Sequence, residues 1–138
     1  MSTRPRTLPG LALSVVVGGA VASAANALVA LLSHAAGVSA DFRALQPPSY
    51  IALTVIGIVA GAIGWSIIRN RATDPTSLLR WLVPTVVALS LIPDILLGAT
   101  QAQPGTTWGA IVALMAMHVI VTVAAVLSYR RFLPLPEV

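Results

Sequence analysis

The chain has 138 residues, of which 57% are hydrophobic and 9% are charged, and its mean hydropathy is +0.92, which is the composition of an integral membrane protein. It contains no cysteine, which excludes disulfides and thiolate chemistry, and every basic residue is an arginine, which excludes a Schiff-base lysine. The formal net charge of +4 comes from arginines at the ends of apolar segments, so we interpret it as a topology signal and expect no nucleic-acid partner.

Four apolar segments predict an all-α membrane protein, because each is close to the ~20 residues that a helix needs to cross a bilayer. They cover about residues 11–33, 49–68, 78–98 and 108–129. Little of the chain remains outside them, so we expect residues 1–138 to form a single four-transmembrane-helix bundle. The first segment also has features of a signal peptide, but its apolar pattern continues to Leu32, whereas a signal core has only about 7–15 residues. We therefore expect this segment to be a retained helix.

The first two predicted helices are rich in glycine. Gly18 and Gly19 lie in helix 1, and Gly57, Gly61 and Gly64 lie in helix 2, where the first two form a Gly-x-x-x-Gly motif. Small residues at spacings of three or four let two helices approach closely in a membrane. We expect these glycines to lie at helix contacts.

Asn26 is a polar residue on the small-residue face of helix 1. An amide at this depth either holds the bundle through an interhelical hydrogen bond, which we favour, or contacts a ligand. The connection after helix 1 predicts a short helix over residues 41–45 that ends before Pro47-Pro48. This connection is the first extracellular loop if the termini are cytoplasmic.

Helix 3 has the sequence signals of a capped start and an interrupted end. Asp74 and Pro75 predict an N-cap followed by the first helical residue, and Thr106 or Thr107 similarly predicts the cap of helix 4. Late in helix 3, Pro93 lacks the N–H that would bond one turn back.

Asp94 is the one carboxylate inside a predicted span. An acid at the centre of a membrane helix costs roughly 2.5–3.5 kcal/mol, so it tends to face protein or water and to mark a functional site. A structural interpretation satisfies the carboxylate through a helix end, Arg43 or interfacial water. The functional interpretation is a group that exchanges a proton or binds a ligand.

His118 is the corresponding ionisable residue of helix 4. A lone histidine among Met, Ala and Val is most often a neutral core residue, although proton relay and ligand contact remain alternatives. At about 1.5 Å per residue, His118, Asp94, Asn26 and Ser90 all lie within a few turns of the outer helix ends. We predict that these four residues line one outward-facing polar pocket.

No motif in the chain indicates catalysis, a metal site or a bound cofactor. There is no Gly-x-Ser-x-Gly, no His-Glu-x-x-His and no phosphate-binding glycine loop. Two histidines and one deep carboxylate at unrelated spacings do not predict metal ligation. We therefore expect a protein that is not an enzyme and that holds no metal or cofactor.

Several short motifs spread over the chain resemble those of a domain-of-unknown-function family of small four-helix bacterial, and by composition actinobacterial, membrane proteins. They are Ser39–Tyr50, Ile92–Asp94, Gly105–Gly109, Met117-His118 and Tyr129–Phe132. The resemblance implies a multi-pass protein of the bacterial cell membrane. It implies no particular activity.

Two functions fit these observations. The first, which the sequence favours, is a non-catalytic structural or accessory membrane component whose partners are the lipid bilayer and either a second copy or another membrane protein. The second is a small carrier or lipophilic-ligand-binding protein with an outward-facing polar pocket around Asp94. Loss of function in an Asp94→Asn variant would favour the second.

The arginines also predict that both termini are cytoplasmic, because the positive-inside rule places most Arg and Lys on the cytoplasmic side. Seven fall on one side and only Arg43 on the other; the seven are Arg4, Arg6, Arg69, Arg71, Arg80, Arg130 and Arg131. A cysteine at Gln103 should then react with an impermeant maleimide added outside intact cells, and a cysteine at Asp74 should not. The reverse labelling pattern would contradict this topology.

Overall fold

The computed structural model describes residues 7–136, which form helices joined by short connections and contain no strand. The helices, with a short 3₁₀ helix in the first long connection, are α1 (Thr7–Ala35), the 3₁₀ helix (Arg43–Leu45), α2 (Pro47–Arg71), α3 (Pro75–Ser90), α4 (Ile92–Thr100) and α5 (Trp108–Phe132).

Four helical spans are long and apolar enough to cross a membrane, with mean hydropathies of 2.0 to 2.6. They are Leu8–Ala35, Pro47–Arg71, Pro75–Thr100 and Trp108–Phe132. Many large apolar side chains are exposed on the outside of the bundle, where lipid can solvate them. The structure therefore confirms the predicted all-α, four-transmembrane-helix fold class.

The predicted helix starts are confirmed by their capping hydrogen bonds. The Ser77 N–H donates to Asp74 Oδ1 over 2.9 Å at the start of α3, and the Ala110 N–H donates to Thr107 Oγ1 over 3.1 Å at the start of α5. The short helix expected in the first loop is a single 3₁₀ turn that ends just before Pro47.

The third span differs from the single helix predicted over residues 78–98. It starts at Pro75, as the cap signals predict, but it is interrupted at Leu91, which separates α3 from α4. A helix accommodates proline well only in its first turn, and Pro93 occupies the second position of α4. The break therefore places Asp94 in the first turn of a new helix, where the helix dipole favours an acidic side chain.

Helix α5 lies at the centre of the bundle and contacts every other helix, most extensively α1. The face of α1 that meets it is buried at every fourth position and carries small or short side chains: Gly10, Ser14, Gly18, Ala22, Asn26 and Ala30. The Ser128 hydroxyl of α5 donates to the Ser14 carbonyl over 2.9 Å. Close backbone approach and interhelical hydrogen bonds are the two devices that hold helices together in lipid.

Two apolar clusters form the core, one towards each end of the bundle. One contains Phe42, Leu45, Ile111 and Leu114, and the other contains Ile58, Trp65, Leu79 and Tyr129, each with smaller neighbours. On α5, the cluster residues end at Met117 and resume at Ala125, so the segment between them, which begins with His118, lies between the clusters. This intermediate level is where the polar site residues lie.

The first connection packs into the end of the bundle and does not stand away from it. Phe42 and Leu45 have no exposed surface and belong to one of the two apolar clusters. The connection also meets the turn between α4 and α5, where Gly105 has φ +74° and a Cβ would lie 2.9 Å from Ser39 Cβ. Glycine is required there by both its backbone conformation and the close approach.

The predicted glycine contacts differ among positions. A Cβ would lie 3.3 Å from Ser128 Cβ at Gly18 and 2.7 Å from the Tyr129 hydroxyl at Gly61, whereas at Gly57 the nearest atom is 4.0 Å away. At Gly19 and Gly64 no heavy atom of the described residues lies within 4 Å, so within this chain these two glycines do not serve helix packing. The spacing of small residues does not by itself say which face is packed.

Gly61 and Gly64 form a matched pair for testing this difference. We expect Gly61→Leu to lower the stability of the protein by about 1–3 kcal/mol, because the new side chain overlaps the Tyr129 ring. Gly64→Leu should leave stability nearly unchanged, because its side chain has open space. Thermal unfolding in detergent measures both, and equal melting temperatures for the two variants would contradict the packing seen at Gly61.

Candidate functional site

A cavity of about 340 Å³ lies between the helices at the level where the two apolar clusters are separated. All four residues predicted to line a polar pocket are on its wall: Asn26 from α1, Ser90 from α3, Asp94 from α4 and His118 from α5. The structure thus brings together side chains from four helices. From the sequence alone, we could predict only that these side chains lie at a similar depth.

Asp94 and His118 form the closest ionisable pair of this cavity. Asp94 is only 7% exposed, and its Oδ2 lies 3.0 Å from His118 Nδ1. The carboxylate thus lies beside α5, while Arg43, a possible partner by sequence, is exposed on the 3₁₀ helix. The close approach of α4 to α5 depends on Gly98, where a Cβ would lie 3.0 Å from the Trp108 ring.

The Nδ1 hydrogen of His118, however, points to a backbone carbonyl and not to Asp94. Nδ1 lies 3.0 Å from the Leu114 carbonyl oxygen, and since a carbonyl only accepts, Nδ1 carries the hydrogen of this bond. Asp94 Oδ2 is equally near but is not aligned with the N–H, and it has no hydrogen-bond donor among the described residues. The contact is therefore a close approach and not a hydrogen bond, and the oxygen keeps its capacity to accept.

Asn26 makes the interhelical hydrogen bond that the sequence analysis favoured. Its Nδ2 donates to Thr54 Oγ1 of α2 over 3.0 Å, and the residue is only 1% exposed. The amide oxygen, Oδ1, is buried and has no donor within residues 7–136. Asn26 therefore has a structural bond on one atom and an unused acceptor on the other.

Ser90 lines the cavity, but its hydroxyl hydrogen already has an acceptor. Its hydroxyl donates to the Val87 carbonyl over 2.7 Å, as serines in membrane helices commonly do within their own helix. Its oxygen can still accept from the cavity.

Three acceptors without donors belong to residues of this one site, and each of these atoms is almost fully buried. They are Asn26 Oδ1, Asp94 Oδ2 and Gln103 Oε1, and all three residues line the cavity. Most buried polar atoms in proteins have a partner, so each such atom requires an explanation. The part of the chain that the structure describes contains no group of three or more His, Cys, Asp or Glu side chains placed to hold a metal ion.

Sequence reasoning missed Thr54 and Gln103. Thr54 is a hydroxyl residue within the apolar span of α2, and this is the signal in the sequence that could have identified it. Gln103 lies in the turn between α4 and α5, which has no periodic pattern. Nothing in the sequence indicates that this turn folds back over the cavity.

The comparisons with known proteins identify the family of the chain but no function. The model of DUF6069, a family of unknown function, matches residues 6–134. No curated protein matches the chain, and no solved structure does.

The bond between Asn26 and Thr54 predicts a specific stability loss. Thr54→Val keeps the side-chain shape but leaves the Asn26 amide group without its acceptor, and we expect a loss of about 0.6–1.7 kcal/mol. The control is Thr85→Val, because Thr85 is exposed on α3 and its hydroxyl bonds only to the Trp81 carbonyl of its own helix. Unfolding in a denaturing detergent compares them, and equal losses would mean that the interhelical bond contributes nothing.

Proposed function

Because the chain belongs to DUF6069, a family whose function is unknown, we propose a function from the geometry of the polar cavity: the protein binds, within the membrane, a small ligand whose polar group donates hydrogen bonds. The proposal is one of binding without catalysis. The observation that carries it is the group of three buried acceptors, Asn26 Oδ1, Asp94 Oδ2 and Gln103 Oε1, on the wall of one cavity.

The chemistry of these acceptors favours a cationic donor. A carboxylate and two amide oxygens accept hydrogen bonds, and a primary ammonium group offers three donors and a positive charge. Hydrogen bonds to charged groups are stronger than neutral ones, by roughly a factor of two. The cavity volume of about 340 Å³ lies at the lower end of the range of small-molecule sites, about 300–1,000 Å³.

The depth of the cavity supports access from the outer side of the membrane. Asp94 lies six residues before the end of α4 at Thr100, or roughly 9 Å along the helix. If the termini are cytoplasmic, as we propose from the arginines, we expect the site to lie in the outer half of the membrane. The alternative role, as a purely structural or accessory component, requires no ligand at this site.

Binding of n-hexylammonium by the protein in nanodiscs tests the proposal. We expect isothermal titration to detect binding by the natural protein and an affinity at least tenfold lower for Asp94→Asn, which removes the charge but keeps the shape. A tenfold change corresponds to about 1.4 kcal/mol, close to the lower end of the ~1.5–3 kcal/mol for a hydrogen bond to a charged group. Asp41→Asn is the control, because Asp41 is exposed in the first connection.

The choice of ligand supplies a second control. Hexyltrimethylammonium has the same charge and chain but no N–H donor, so it should bind at least tenfold more weakly than n-hexylammonium. Equal binding of the two ligands, or equal binding by Asp94→Asn and the natural protein, would show that the unpaired acceptors are not the recognition element and would overturn the proposal.

A further inference from the structure

A second cavity, of about 370 Å³, lies between α2, α3 and α5 on the other side of the polar level. Its wall is almost entirely apolar and includes Gly64, Trp65, Leu79 and Val126. The small residues of α2 create the space, because Gly64 has no neighbour within 4 Å of its Cβ position among the described residues.

The two cavities adjoin. Val86 of α3 and Val121 and Thr122 of α5 line both of them. Together the walls run along α2 from Tyr50 to Ile68, which is 18 residues or roughly 27 Å. The chamber whose wall residues carry the unpaired acceptors therefore adjoins a long apolar chamber.

The side of this double cavity is accessible from the surrounding membrane. Val86, which lines both chambers, is 54% exposed, and Leu82 of the apolar chamber is 37% exposed. Both belong to the third span, which is the least buried of the four. A molecule dissolved in the bilayer can thus reach the cavity between α3 and its neighbours without passing through water.

We propose that the ligand is an amphiphile with a single hydrocarbon chain and an amine head, whose ammonium group lies at Asn26, Asp94 and Gln103 and whose chain occupies the apolar chamber. This inference rests on the proposed function and adds the class of ligand. Charge and hydrogen-bond complementarity place the head at the acceptors. The apolar wall, which provides no comparable acceptor, takes the chain.

The direction of such a ligand agrees with that of a lipid in the outer leaflet. If the termini are cytoplasmic, the polar chamber lies towards the outer surface and the apolar chamber towards the middle and inner part of the membrane. The head then points outward and the chain inward, so the ligand enters sideways without turning over.

Photolabelling in phosphatidylcholine nanodiscs tests the inference. The probe is n-hexadecylammonium with a diazirine near the end of its chain, and labelled peptides are identified by mass spectrometry. We expect labels on Trp65 and Leu79, which line the apolar chamber and are only 4% and 7% exposed, so that a probe on the outer face of the bundle contacts them little. Excess unlabelled n-hexadecylammonium should remove these labels.

A matched pair of glycine variants shows whether the label depends on the chamber. Gly64→Leu fills the apolar chamber and should reduce labelling of Trp65 and Leu79 at least fivefold. Gly19→Leu makes the same change at an open position of α1 that lines neither chamber, and it should leave labelling unchanged.

The outcomes separate this inference from the proposed function. If n-hexylammonium binds in an Asp94-dependent way while the long probe labels only exposed residues outside both chambers, such as Leu28 and Leu31, the polar site stands and the amphiphile is wrong. If labelling is the same in Gly64→Leu as in the natural protein, the amphiphile is likewise wrong. If neither amine binds, both proposals fail.

Discussion

The packing of α5 against the small-residue face of α1 is the contact on which the rest of the bundle depends. In lipid an apolar side chain gains little by moving from bilayer to protein, so helices associate through close packing and interhelical hydrogen bonds. The fourfold repeat of Gly10, Ser14, Gly18 and Ala22 allows the first, and the Ser128 hydroxyl on the Ser14 carbonyl supplies the second. With α5 fixed on α1, its remaining surface is available to α2, α3 and α4.

The same repeat explains why polar groups gather at one level. Continued by four residues from Ala22, it reaches Asn26, and the corresponding repeat on α2 from Tyr50 reaches Thr54, so the two side chains meet between the apolar clusters. Asp94 lies at the same level for a different structural reason. The break at Leu91 starts a short helix, and Gly98 lets that helix approach α5 closely, which brings the carboxylate to His118.

Local signals in the sequence were sufficient to predict the helical spans, their caps and the shared level of the polar residues along the bundle. Asp74 and Thr107 act on the backbone a few residues away, and depth follows from counting along a helix. The lateral arrangement was less accessible, because helices that are apolar all round have no distinct face in their sequence. Gly61 and Gly64 look alike in sequence, yet one meets Tyr129 and the other meets open space. Pro93 indicated a helix break in the sequence, but it did not indicate at which residue one helix ends and the next begins.

The proposed binding role has an energetic consequence at the polar level. An interhelical hydrogen bond in a membrane contributes about 0.6 kcal/mol on average, as the bond from Asn26 to Thr54 would. A buried acceptor left without a donor costs about 1–3 kcal/mol, and Asn26, Asp94 and Gln103 each carry one. A ligand that donates hydrogen bonds to these atoms removes the free-energy cost of the unpaired acceptors when it binds. The removal of this cost therefore adds to the affinity for that ligand.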